Sequence, residues 1–232
     1  DSDDYLRPNA VELLVNVANK TKTDLIRYRY ERSADGVVKY AQDSYLSNEK
    51  EILVDKKDFK DKVYPMFLEG YMLASINVDF IKRICIPEKI AHRRMTFGED
   101  LLFNINLFSK INNVTFFNEP LYGYCPNEKS ITRTKDVTKL LKNLNDAQYV
   151  YLNLFDKALE WGFTGETIEK LKVRILYEFT TIIDKLNKTG ANVKEEINNI
   201  FYNEKYKEFL KTIDKTKIDK NTENYELILE LI

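Results

Sequence analysis

With 232 residues, the chain is long enough to bury a real core, in one large domain or two modest ones. Its 36 Lys+Arg stand against 37 Asp+Glu, which argues against a dedicated nucleic-acid binder. His92 is the only histidine, and Cys85 and Cys125 lie far apart, so Cys/His zinc chemistry is excluded and reduced cysteines are expected. No apolar run approaches ~18 residues, so no helix is expected to span a membrane. No signal-peptide pattern is seen either, although a chain that starts mid-domain could not show one. A cytoplasmic protein is the default expectation.

Pro8 suits a first helical turn and predicts a helix to about Lys20, with Val11, Leu14, Val15 and Ala18 on one face. Asp24 to Tyr30 reads as a strand, and Asp35-Gly36 as a turn that returns Val37 to Tyr40 as its hairpin partner. Helices are predicted near Lys57 to Leu68, Asn77 to Arg83 and Leu101 to Lys110. Val114 to Phe117 and Leu121 to Tyr124 read as two short strands separated by Asn118-Glu119-Pro120. Beyond about residue 135 helical periodicity dominates. Leu140, Leu144, Tyr151, Phe155 and Leu159 mark one long helix, and Ile168, Leu171, Ile175, Phe179 and Ile183 a second, ended by Gly190. Shorter helices follow near residues 193–213 and 223–231.

Three constellations can carry chemistry. Asp1-Ser2-Asp3-Asp4 contains a D-x-D, whose carboxylates face one side of an extended chain and suit one hard divalent cation. Its ordinary alternative is an acidic helix start. Thr96-Phe97-Gly98-Glu99-Asp100 offers a carboxylate for general-base work, while Thr96 and Glu99 also stand in capping-box relation. Leu121 to Thr132 joins Tyr122 and Tyr124 to a loop bearing Lys129, Ser130 and Thr132 that can fold over a phosphate or sugar. A strand running into a surface loop would read the same way.

The order Asp-Ser-Asp-Asp-Tyr, Gly-Glu-Asp-Leu-Leu-Phe, then Tyr-Gly-Tyr with a Ser-Ile-Thr loop resembles the bacterial family-two inverting glycosyltransferases of the GT-A fold. The resemblance covers residues 1 to about 132. It implies an α/β fold class: the C-terminal part of a GT-A, Rossmann-like nucleotide-sugar transferase domain over residues 1–134, followed by a helical bundle over 135–232. It implies a divalent metal, Mn²⁺ or Mg²⁺, on Asp1 and Asp3, and Asp100 as catalytic base beside Glu99. Tyr124, Lys129, Ser130 and Arg133 become the candidates for the donor diphosphate; Cys125 stands where relatives commonly carry a basic residue. The implied partners are a nucleotide-diphosphate sugar, a UDP-sugar by default, and a glycan or lipid-linked saccharide acceptor, in surface polysaccharide or lipooligosaccharide synthesis at the inner face of the membrane. Peripheral membrane association and a homo-oligomer stay open.

In relatives, the strands and loops that hold the nucleotide base and ribose precede the D-x-D. The chain alone is therefore expected to show little or no transfer, its parent being longer. The competing reading is a non-catalytic helical interaction module, in which the acids only begin helices.

Overall fold

The structure, a computed structural model, describes residues 4–34, 37–69, 79–81, 95–126, 134–220 and 224–231. It is α/β and divides into two compact units. One comprises Asp1–Phe67, Tyr71–Ile90 and Phe103–Ser130; the other comprises Leu68–Gly70, Ala91–Leu102 and Ile131–Ile232.

The first unit is built on a mixed sheet. Its centre is a parallel pair, β2 (Leu25–Ala34) and β6 (Asn113–Tyr124), in register from Leu25 opposite Val114 to Arg32 opposite Tyr124. Both strands are buried along most of their length, as parallel strands covered on two faces must be. Short antiparallel strands complete the edges. Beside β6 lie β4 (Glu51–Asp55) and then β1 (Tyr5–Leu6); beside β2 lie β5 (Asp79–Ile81) and then β3 (Val37–Ala41).

Helix α1 (Ala10–Thr21) covers one face, packing Ala10, Leu14 and Val17 on Ile26, Tyr28, Phe117, Leu121 and Tyr122. The buried face thus differs from the expected one: Val11 and Val15 are 60% and 42% exposed. Apolar residues occur nearly all round this helix, so its sequence defines no single stripe, and contact with the sheet selects the face.

Three further expectations are corrected. The helix expected near Lys57 to Leu68 is broken into a 3₁₀ turn, α2 (Phe59–Lys62) and α3 (Tyr64–Glu69), because Pro65 disfavours helical continuation through the residues before it. Of the helix expected at Asn77 to Arg83, the described residues form β5 instead. There Asp79 lies opposite Arg27 of β2 and takes both ends of its guanidinium, at 2.7 Å from Nε and 2.6 Å from Nη2. Arg27 Nη2 also donates to Asn104 Oδ1 at 3.0 Å, and its guanidinium lies 5.3 Å from the Phe108 ring centre. All three polar side chains are buried. Burial pushes the Asp79 carboxyl up, while Arg27 and its hydrogen bonds oppose that push.

Third, β6 is continuous through Asn118-Glu119-Pro120. Asn118 secures the segment before β4: its amide donates to Ser47 and Glu49 carbonyls at 3.0 and 2.6 Å, and its Oδ1 accepts the Tyr45 N–H at 2.8 Å. Pro120 costs no central bond because the β2–β6 register shifts around Arg29, its partner.

Tyr28 and Tyr45 are both buried, and the Tyr45 hydroxyl lies 3.1 Å from the Tyr28 carbonyl. Burial pushes both phenols from 10.0 up to about 12. The unfolded chain therefore releases these protons first as pH rises. Stability that is complete below about pH 10 should fall between about pH 10 and 12, by ~1.4 kcal/mol per unit and per tyrosine. Urea unfolding across that range should show the drop; because burial also raises the phenols of Tyr30, Tyr64, Tyr151 and Tyr206, Tyr45→Phe should remove only a minor share of the slope.

The second unit is helical apart from its turns, among the described residues. Helix α4 (Glu99–Lys110) begins in this unit and ends in the first. Asp136 caps α5 (Val137–Glu160) by accepting the Lys139 N–H at 3.0 Å. α5 packs on α6 (Gly165–Asn187) and on two shorter helices, α7 (Lys194–Phe201) and α8 (Glu204–Lys211); α9 (Tyr225–Leu231) packs on α6. The segment expected as one helix near residues 193–213 is two, because Asn203 ends the first and caps the second through the Tyr206 N–H at 2.9 Å. Aromatic edges fill the core: Tyr151 against Phe179, Phe155 against Phe209, and Phe179 against Phe201, with ring centres 5.1 to 6.3 Å apart. Among the described residues, no helix is long and apolar enough to cross a membrane.

Candidate active site

The first described member of the acidic cluster, Asp4, is anchored to the far end of the sequence motif set. Its Oδ1 accepts the Cys125 N–H at 2.8 Å, and its Oδ2 accepts the Tyr122 hydroxyl. The adjoining strand β1 reinforces the join, with Tyr5 opposite Gly123 and Leu6 opposite Tyr122. Asp4 and the Tyr-Gly-Tyr segment therefore meet at the carboxyl end of the parallel pair β2–β6. Open α/β sheets place ligands at that end.

Gly123 makes the join possible. The Tyr5 ring lies across it, and a Cβ at position 123 would fall 2.1 Å from Tyr5 Cζ. The ring continues to Glu31, whose carboxylate accepts the Tyr5 hydroxyl at 3.3 Å and Arg7 Nη2 at 2.6 Å. The Glu31 partner raises the Arg7 guanidinium further above its ordinary value, while burial works in the opposite direction. Gly123→Ala should expel the ring and destabilise the fold by about 1–3 kcal/mol. In the Tyr5→Ala background the same change should cost much less, and a double-mutant cycle by urea unfolding measures the difference.

Tyr124, expected at the donor diphosphate, ends β6 half-buried. Its ring faces Arg32, its register partner on β2, with the guanidinium carbon 5.7 Å from the ring centre. Tyr40 of β3 is opposite Arg32 on its other side. This arginine was not singled out in the sequence. Only the three-strand register brings it beside Tyr124.

In the helical unit, Asp100 is the second residue of α4 and half-buried, with Glu99 exposed at the first. Two carboxylates in a first turn are favoured by the helix dipole. The capping box expected from Thr96 and Glu99 is absent: the helix begins after Gly98, whose φ is 74° and whose carbonyl accepts the Leu102 N–H. Thr96 instead turns to α5, where its hydroxyl lies 3.0 Å from Asn143 Oδ1 and 3.3 Å from Asp146 Oδ2.

Asp1, Asp3, Lys129, Ser130 and Arg133 lie outside the described residues. Tyr124 and Asp100 belong to different units. Among the described residues, no group of three or more His, Cys, Asp or Glu side chains can hold a metal ion. Asp146, which holds the Thr96 backbone N–H, was likewise not singled out in the sequence. Its signal was an acid at helical spacing within the apolar stripe Leu140, Ala147, Val150, Leu154 of α5, a place where an acid must be held by partners.

No family model matches the chain, and no curated protein matches it. Among solved structures, the chain is similar to residues 1–349 of S. aureus TarS in complex with UDP-GlcNAc, at 13% identity and a TM-score of 0.43. That match covers 93% of this chain, which spans 57% of the other.

Proposed function

We propose that the chain is part of an inverting glycosyltransferase that moves a sugar from a nucleotide-diphosphate donor, UDP-linked by default, to a glycan or lipid-linked saccharide in surface polysaccharide synthesis. The observation that carries the reading is the Asp4 anchor. Two of the three motifs that resemble the family are more than a hundred residues apart in the chain, yet they are hydrogen-bonded together at the ligand-binding end of the sheet.

In this reading Asp1 and Asp3, immediately before the anchored Asp4, would hold a Mn²⁺ or Mg²⁺ ion. An all-carboxylate donor set suits such a hard cation. When bound, the ion neutralises charge on the diphosphate. The chain's own residues do the rest. Lys129, Ser130 and Arg133 supply donors to the phosphates, and Arg32 steadies the Tyr124 ring. Asp100 accepts the proton of an acceptor hydroxyl as its oxygen bonds to the anomeric carbon. The bond from that carbon to the diphosphate oxygen breaks in the same displacement, and the nucleoside diphosphate departs with the electron pair. One displacement inverts the centre and needs no nucleophile from the protein.

The test measures UDP release from a panel of UDP-sugars with Mn²⁺ and glycan acceptors, for this chain and for any longer form with residues ahead of Asp1. Acceptor-dependent release that is lost in Asp3→Asn supports the reading. Hydrolysis of a glycan without nucleotide dependence would replace it with paired-carboxylate glycosidase chemistry.

A further inference from the structure

We infer that Asp146 is a positioning residue for Asp100, holding the turn from which that base is presented; the inference rests on reading Asp100 as the base. Asp146 projects from the middle of α5 and is 0% exposed. A carboxylate is costly there unless it is held by donors. Its Oδ2 accepts the Thr96 backbone N–H at 2.8 Å and the Lys142 ammonium at 2.7 Å, with the Thr96 hydroxyl at 3.3 Å. Asn143 Oδ1 and Lys142 Nζ also reach that hydroxyl, at 3.0 and 3.1 Å.

The same face of α5 grips the other end of the turn. Asn143, Asp146 and Val150 follow helical spacing, and a Cβ on Gly98 would lie 3.2 Å from Val150 Cγ2. The turn is thus held at Thr96 by hydrogen bonds and at Gly98 by close packing. Helix α4 starts at the next residue, with Asp100 second. A buried acceptor aimed at one backbone N–H, with its charge balanced by Lys142, specifies a single geometry. A general base needs that geometry, since a displacement of about 1 Å can cost ~100-fold in rate.

The test follows amide hydrogen exchange of Leu102, whose N–H bonds the Gly98 carbonyl in the same turn, and the carboxyl ¹³C titration of Asp100, in the wild-type chain, Asp146→Ala, Asp146→Asn and Thr96→Ala. In Asp146→Ala the Leu102 amide should exchange about tenfold faster, the equivalent of one hydrogen bond to a charged group, and the Asp100 carboxyl titration should move. Ile175 and Phe179 amides in α6 should keep their protection. Asp146→Asn keeps an acceptor for the Thr96 N–H and should recover part of the effect, the rescue that a carboxylate serving only bulk stability would not produce. Thr96→Ala leaves the Lys142–Asp146 pair and should show the same change in smaller measure, which covers failure of Asp146→Ala to fold. Wild-type exchange of Leu102 and wild-type titration of Asp100 in folded Asp146→Ala or Thr96→Ala would overturn the inference. Failure of the base reading is seen separately, as turnover retained by Asp100→Asn in a longer form with residues ahead of Asp1. An inactive Asp100→Asn alongside Asp146→Ala with unchanged kcat would sink the positioning role alone.

Discussion

In a longer form with residues ahead of Asp1, Asp100→Asn is expected to lower sugar transfer by about 10²–10⁴-fold, the range a positioned general base supplies. Stability should barely change. Asparagine keeps the size of the side chain, and the loss of one first-turn charge costs only about 0.3–1 kcal/mol. The separation between rate and stability is the diagnostic. A helix-start acid would show the small stability cost with activity intact, as the interaction-module reading requires. Donor binding should survive the substitution, because Asp100 acts on the acceptor hydroxyl and not on the diphosphate. UDP release under saturating donor, read beside a urea unfolding curve, decides between the two.

Asp79→Ala should have the largest effect on stability, about 3–5 kcal/mol in urea unfolding. The substitution leaves the Arg27 guanidinium, 1% exposed, without its bidentate partner on β5. The cost comes mainly from the stranded buried charge and not from the loss of an attractive pair. A second variant exposes this. Replacing Arg27, Asp79 and Asn104 together by Met, Leu and Leu removes every member of the cluster and should be close to neutral, or even stabilising. A loss below about 1 kcal/mol in Asp79→Ala would mean that the guanidinium finds other acceptors or reaches water.

How legible each part of the molecule was depended on where its partners sit in the chain. The long helices α5 and α6 were readable because a 3.6-residue apolar repeat sustained over many turns has one good interpretation. The β2–β3 hairpin was readable because its strands are adjacent in sequence. β5 was not, since three residues carry no usable period and its strand character follows from pairing with β2 and from the Arg27–Asp79 bonds. β4 was missed for a similar reason: its ladder partner, β6, lies some sixty residues away.

For the candidate site, residue types and motif order were enough to single out the acidic cluster, the Gly-Glu-Asp turn and the Tyr-Gly-Tyr loop. That much the amino-acid sequence determined, because chemistry depends on side-chain identity. Which residue does which work was decided by tertiary structure. Asp4 proved to be an anchor on Tyr122 and Cys125, and Thr96 a ligand of Asp146 instead of a cap. Arg32 reached Tyr124 through strand register alone. A carboxylate or hydroxyl has many acceptable partners, and its choice is made by whichever backbone the fold brings within 3 Å; no local pattern in the chain encodes that distance.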